Sequence, residues 1–205
     1  EDAQKESGKL ARKGTEVYLN IQDKFDVMVF GMPRTFHYGP GMGTNPILIT
    51  QACGSQVARH FDVFRENGVV ITTSICDGWF NDEWFPSYRT IYEKLQGMSD
   101  FAEAENLAEE IANNKEFRYK YRFAWAYHAF HGLSMVSMGT IALKRTSAVI
   151  VAGARAPGYA RGMGLKPTNT FGDALKEAEK YVGKNPRILV LPEAFTKAAV
   201  HLKRA

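Results

Sequence analysis

Phe25-Asp26-Val27-Met28-Val29-Phe30 is followed by Gly31-Met32-Pro33-Arg34-Thr35-Phe36-His37-Tyr38-Gly39-Pro40-Gly41-Met42-Gly43-Thr44-Asn45-Pro46, and the chain changes character at Gly31. The apolar run before it predicts a buried strand. Asn45 reads as an N-cap and Pro46 as the first position of a helix over 46–65, carrying Ile47, Leu48, Ala52, Val57, Ala58, Phe61 and Phe64 near helical spacing. Asn67-Gly68 is expected to end that helix, and the β-branched run Val69–Ile75 to form the next strand. Strand, helix, strand at this spacing is a βαβ unit with a right-handed crossover.

The same alternation continues along the chain. Helical patterns are expected at 83–96, 100–114 and 115–138, with Gly97 as a break. Ala148–Ala152 predicts a third strand, leaving through the glycine-rich loop Gly153–Gly164. Helix 171–182 carries Phe171, Ala174, Leu175, Ala178 and Val182 on one face, and Arg187–Pro192 predicts a fourth strand before a basic tail. Upstream, residues 1–14 read as a polar helix and Glu16–Ile21 as a short edge-like strand. The fold expected is α/β: a mostly parallel, Rossmann-like sheet covered by helices, with a helical insertion around 83–138. Residues 1–22 would be a lead-in, and 23–205 a single α/β domain.

The 205 residues suffice for a full core in one domain. Apolar content of 45% and charged content of 23% are those of an ordinary globular protein, and the net charge of +4 comes without a dense Lys/Arg block. Nucleic-acid binding does not follow from that balance, whereas a basic pocket for a small anion fits it. No run approaches membrane-spanning length, and no signal-peptide pattern opens the chain. Two cysteines, Cys53 and Cys76, both in apolar settings, argue against a disulfide framework and for a reducing, cytoplasmic location. A start at Glu1-Asp2-Ala3, without Met, suggests a fragment or a processed chain.

The opening loop holds the candidate site. Loops at the carboxyl ends of strands bind ligands in open α/β sheets, and a helix N-terminus favours an anion. Gly39-x-Gly41-x-Gly43 before a helix suits a phosphate cradle equally as well as a structural turn. It matches neither the dinucleotide fingerprint nor a Walker loop. Arg34, His37 and Tyr38 in the loop favour a carboxylate or phosphate, because a guanidinium offers either a two-pronged fork. His128-x-x-His131 places two imidazoles on one helix face, as packing residues or lining a cleft, with no third metal ligand in the pattern. Asp77 follows Cys76 at a strand end. Arg118, Lys120 and Arg122 interleave with aromatics but scatter around a helix, as a solvated face does. Trp79, Phe80, Trp84 and Phe85 read as core, or alternatively as a contact patch for a protein partner.

Taken in order, several stretches resemble the C-terminal half of nickel-dependent lactate racemases. They are Asp23–Val29 with its Gly/Pro loop, Asn45–Gln51, Glu66–Ile71, Cys76-Asp77-Gly78, Gly164–Leu175 and Pro186–Pro192. The resemblance implies an enzyme whose N-terminal domain, absent from this chain, carries a nickel-pincer nucleotide that takes and returns the α-hydride of a 2-hydroxy acid. This chain would be the C-terminal domain closing the cleft, holding no cofactor or metal itself and inactive alone. Its partners would be that N-terminal domain and a small 2-hydroxy acid, with no nucleic acid and no membrane. By the resemblance Gln51 falls at a substrate-binding glutamine, while the family's substrate-binding lysine falls at Gly54. Losing that cation would weaken binding by about 2 kcal/mol unless another replaces it. Arg34 or His37 is the expected replacement, suiting a larger or differently charged 2-hydroxy acid. The substrate set is thus Gln51, Arg34, His37, Tyr38 and Asn45, with Asp77, His128 and His131 as further cleft residues. The alternative is a phosphate- or nucleotide-binding module using Gly39, Gly41, Gly43 and the helix at Pro46.

Overall fold

The computed structural model describes residues 1–96, 98, 100–196 and 199–205; the break expected at Gly97 lies outside them. In chain order come α1 (Asp2–Lys13), β1 (Glu16–Leu19), β2 (Phe25–Gly31), the two-residue strands β3 (Thr35–Phe36) and β4 (Gly39–Pro40), α2 (Pro46–Arg59) and β5 (Phe64–Thr73). There follow α3 (Tyr88–Leu95), α4 (Ala108–Asn113), α5 (Lys115–Phe123), α6 (Phe130–Arg145), β6 (Ala148–Ala152), α7 (Pro157–Arg161), β7 (Lys166–Thr168), α8 (Phe171–Val182), β8 (Ile188–Leu191) and β9 (His201–Arg204).

The main sheet is parallel throughout, in the order β7-β6-β5-β2-β8. Side chains alternate across a strand, so the apolar run of β2 serves two cores. Met28 and Phe30 face α2 and α6, together with Val70, Val149 and Val151. Val27 and Val29 face the other way, with Val69, Ile71 and Ile150, against Ala174 and Ala178 of α8. Continuous β-branched runs are what a sheet covered on both faces requires. Pro167 sits in the edge strand β7, where a missing N–H costs no ladder bond.

Helices α2 and α6 cross at glycines. A Cβ on Gly54 would lie 2.0 Å from the Met138 carbonyl oxygen, and one on Gly139 would lie 2.8 Å from Thr50 Cγ2. The two backbones are therefore in direct contact.

Several expected boundaries move: the helix expected at 83–96 starts only at Tyr88, and 100–114 is a 3-10 segment, Phe101–Leu107, followed by α4. Helix 46–65 ends at Arg59, and β5 starts at Phe64, running through the Asn67-Gly68 pair expected to act as a stop. Asn67 takes a φ of 59° at a register shift between Phe25 and Val27, so the pair forms a bulge within the strand. The pattern at 115–138 is two helices: α5 ends at Phe123, and Trp125, at φ 57° and 96% exposed, sits in the turn before α6. The basic tail contains β9, which pairs in parallel with β1 and so ties 16–19 to 201–204. Of the four-aromatic cluster, Phe80 and Phe85 are buried while Trp79 and Trp84 are exposed. Among the described residues no helix is long and apolar enough to cross a membrane.

Candidate functional site

The parallel register brings three strand ends level, pairing Gly31 with Thr73 and Thr73 with Ala152. The loops leaving β2, β5 and β6 therefore emerge side by side. Backbone bonds latch them together: Met32 N donates to Thr73 O (2.9 Å), Ser74 N to Ala152 O (3.1 Å), and Arg155 N to Ile75 O (2.7 Å). The buried Ser74 hydroxyl donates to Gly43 O at 3.1 Å, fastening the long β2 loop to β5. Between these loops opens a cleft of about 490 Å³ lined by Met32, Arg34, Thr44, Thr73, Ser74, Ile75, Asp77, Gly153 and Arg155. It lies outside the carboxyl ends of the strands, where open α/β sheets bind ligands.

Asp77 is fixed by one oxygen. Its Oδ1 lies 2.7 Å from Thr44 Oγ1 and accepts from Trp79 N at 3.2 Å. Among the described residues Oδ2 has no hydrogen-bond partner, and neither the Arg34 nor the Arg155 guanidinium has a hydrogen-bond or ion-pair partner; both residues bond only through their backbones. A second compartment of about 440 Å³ adjoins the first, sharing Arg34, Thr44 and Asp77, and is completed by Thr35, Pro40, Gly41 and Trp79. Two unpaired guanidiniums can grip an anion by charge-assisted bonds, and the free carboxylate oxygen can accept from a hydroxyl beside it.

The other residues singled out in the sequence are dispersed. Asn45 is fully buried as the helix cap: Oδ1 accepts from Ile47 N (3.1 Å) and Leu48 N (3.3 Å), and Nδ2 donates to Trp79 O (3.0 Å). Its polar atoms are engaged within the fold, which leaves none for a ligand. Gln51, 9% exposed, points between α2 and α6, with Nε2 at 2.8 Å from Ser55 Oγ and 3.3 Å from Met138 Sδ. Its buried Oε1 has no partner among the described residues. His37 packs its ring on Phe36 and Phe195. Tyr38 and His131 meet at 4.8 Å in an aromatic cluster with Phe85 and Tyr127. Tyr88 Oη lies 2.8 Å from His131 Nδ1. Burial lowers the His131 imidazole below its ordinary value and raises the Tyr38 and Tyr88 phenols. His128 is exposed against Tyr121. Cys76 is buried, and desolvation pushes its thiol up to about 12, which makes it a poor nucleophile.

Gly54 differs most from what the resemblance implies. No side chain projects into the cleft from that position, because the space beyond its Cα is the Met138 carbonyl.

The glycines of the β2 loop serve packing. A Cβ on Gly43 would sit 1.7 Å from Pro33 O, and one on Gly41 would sit 2.9 Å from the Trp79 ring. The amides at the helix start are already bonded: Gly43 N to Arg34 O, Thr44 N to Gly41 O, Asn45 N to Met42 O, and Ile47 N and Leu48 N to the Asn45 side chain. A phosphate cradle needs such amides free, so the alternative reading of this loop loses its physical basis. Sequence reasoning missed Thr44, Ser74 and Arg155. Only the place of Arg155 on a strand-end loop signalled it, and the pairing of β6 with β5 was needed to set it across from Asp77.

Neither a family model nor a curated protein matches the chain. Among solved structures, 99% of the chain is similar to the lactate racemase apoprotein from Thermoanaerobacterium thermosaccharolyticum, with a TM-score of 0.58 and 15% identity. The chain spans 40% of that protein's length. At this identity the likeness is one of fold: an α/β domain built like a part of a larger racemase chain.

Proposed function

We propose that this chain is the substrate-cleft domain of a racemase or epimerase acting on a 2-hydroxy acid. One observation carries the reading: two unpaired guanidiniums, Arg34 and Arg155, flank a cleft at the strand ends with the half-free carboxylate of Asp77. The fold likeness to a lactate racemase supports it, and so does the 40% span, which leaves room for a separate N-terminal domain. In this reading Arg34 and Arg155 hold the substrate carboxylate, and Asp77 Oδ2 accepts the 2-hydroxyl proton and orients the α-carbon. The role assigned by resemblance to Gln51 and to a lysine passes to these residues. Tyr38, His37 and His131 would shape the wall beside the loop.

The nickel-pincer nucleotide, on the separate domain, would supply the hydride acceptor when bound. Among the described residues no three His, Cys, Asp or Glu side chains converge as a metal-binding group. The cytoplasm is the compartment we assign, supported by Cys53 and Cys76, both buried and unpaired.

Calorimetric titration of the chain with D- and L-lactate, and separately with inorganic phosphate and ATP, tests the reading. Saturable lactate binding is expected, weakened about tenfold or more by Arg34→Ala and by Arg155→Ala, since each removes a charge-assisted contact of roughly 1.5–3 kcal/mol. Binding of ATP or phosphate with lactate silent, or lactate binding indifferent to both substitutions, would overturn it.

A further inference from the structure

We infer that the site selects a 2-hydroxy acid bearing a flat, uncharged substituent, and that Trp79 determines this specificity; the inference rests on the hydroxy-acid reading above. Charge balance comes first. Arg34, Arg155 and Asp77 together carry a formal +1, which a single carboxylate neutralises. The second compartment shares Arg34, Thr44 and Asp77 with the first and adds Thr35, Pro40, Gly41 and Trp79, none of them charged. With the anchored carboxylate bound the site is neutral, so a charged substituent there has no counter-charge left, and a second carboxylate would lie beside Asp77 with no spare cation. A methyl group, as in lactate, would leave the compartment to water.

Trp79 supplies a surface for the substituent. The residue is 40% exposed, yet its backbone is pinned on both sides, the N–H by Asp77 Oδ1 and the carbonyl by Asn45 Nδ2. The ring rests against Gly41, whose φ of 79° and missing Cβ make room for it. Among the described residues no other ring or cation stacks on it. A rigid, partly exposed ring without a partner lets a planar group bury area at little cost in side-chain order. The residue that bonds Asp77 through its N–H thus also floors the compartment that Asp77 shares.

Titration of the whole chain with lactate, phenyllactate and malate, in wild type, Trp79→Ala and Trp79→Phe, decides the matter. Phenyllactate is expected to bind roughly tenfold or more tighter than lactate in the wild type, by ring burial and stacking. The phenyllactate-to-lactate ratio should collapse toward one in Trp79→Ala and be largely kept in Trp79→Phe. The Phe variant separates loss of the ring from loss of the fold. Malate binding tightest, a ratio near one in the wild type, or a ratio untouched by Trp79→Ala would overturn the inference while leaving the hydroxy-acid reading intact. Absence of binding by all three acids would overturn both.

Discussion

Gly54→Ala probes the helix crossing and the family resemblance together. The added Cβ would lie 2.0 Å from the Met138 carbonyl oxygen, 2.9 Å from its carbon and 3.2 Å from the Gly139 Cα, all backbone atoms that no rotamer change can move aside. Relief requires α2 and α6 to part by roughly 1 Å, in an interior with little slack. Such overpacking costs about 3 kcal/mol at the upper end of the usual range, and replacing a helical glycine by alanine returns about 1 kcal/mol. The net is about 2 kcal/mol of destabilisation, which lowers Tm by roughly 4–8 °C in a chain of this size. Thermal unfolding followed by far-ultraviolet circular dichroism measures it. Gly54→Lys, which installs the residue the family resemblance places there, is expected to abolish the cooperative transition. A Tm equal to or above wild type for Gly54→Ala would refute the argument, and a stable Gly54→Lys variant would restore that position to the cleft.

Two further outcomes follow from the buried polar groups. His60 is 2% exposed, and desolvation, reinforced by Arg59 and His201, lowers its imidazole from 6.5 to about 4. The unfolded chain therefore binds the proton first: stability is complete above about pH 6.5 and declines toward pH 4 by about 3 kcal/mol from this group. Urea denaturation across that range should show a decline that flattens in His60→Gln, and parallel profiles for the two proteins would count against it. Asn45→Ala removes the acceptor of two helix amides and the donor to Trp79 O, so a loss of about 1–3 kcal/mol is expected. Chemical denaturation reads it, and a change under 0.5 kcal/mol would contradict the capping role.

Where local pattern and tertiary demand agree, the fold is legible in the residues. Val69–Ile71 and Val149–Val151 could only be buried strands. Thr170, whose hydroxyl accepts from Asp173 N, starts α8 where the amphipathic pattern starts, and Asn45-Pro46 opens α2 as expected. The failures have physical causes. Asn67-Gly68 is ordinarily a stop, but pairing of β5 with β2 draws it into a strand as a bulge. Residues 201–204 look like solvated tail because their order comes from β1, far away in the chain. In the site, Arg34 and Asp77 reached one cleft because both lie on strand-end loops. Asn45 and Gln51 are polar residues serving a helix cap and a helix–helix contact, and their residue type alone does not distinguish that from binding. Arg155 reaches the cleft only because β6 pairs with β5, which its own loop sequence does not reveal.

The strand order also sets a timetable. β2, the strand that feeds the long loop into α2, is completed on one flank by β8, where Asp26 bonds a residue 161 positions later. His60 likewise receives the Leu202 amide from 142 positions away, beside the β1–β9 pair. Such contacts close large loops before they gain anything, so they form late and slowly. During synthesis β5 and β6 can assemble against β2 while its other flank still exposes backbone N–H and C=O groups. That nascent sheet has an open, apolar edge for as long as 188–204 remain in the ribosome, and a chaperone or a second nascent chain would meet it there first.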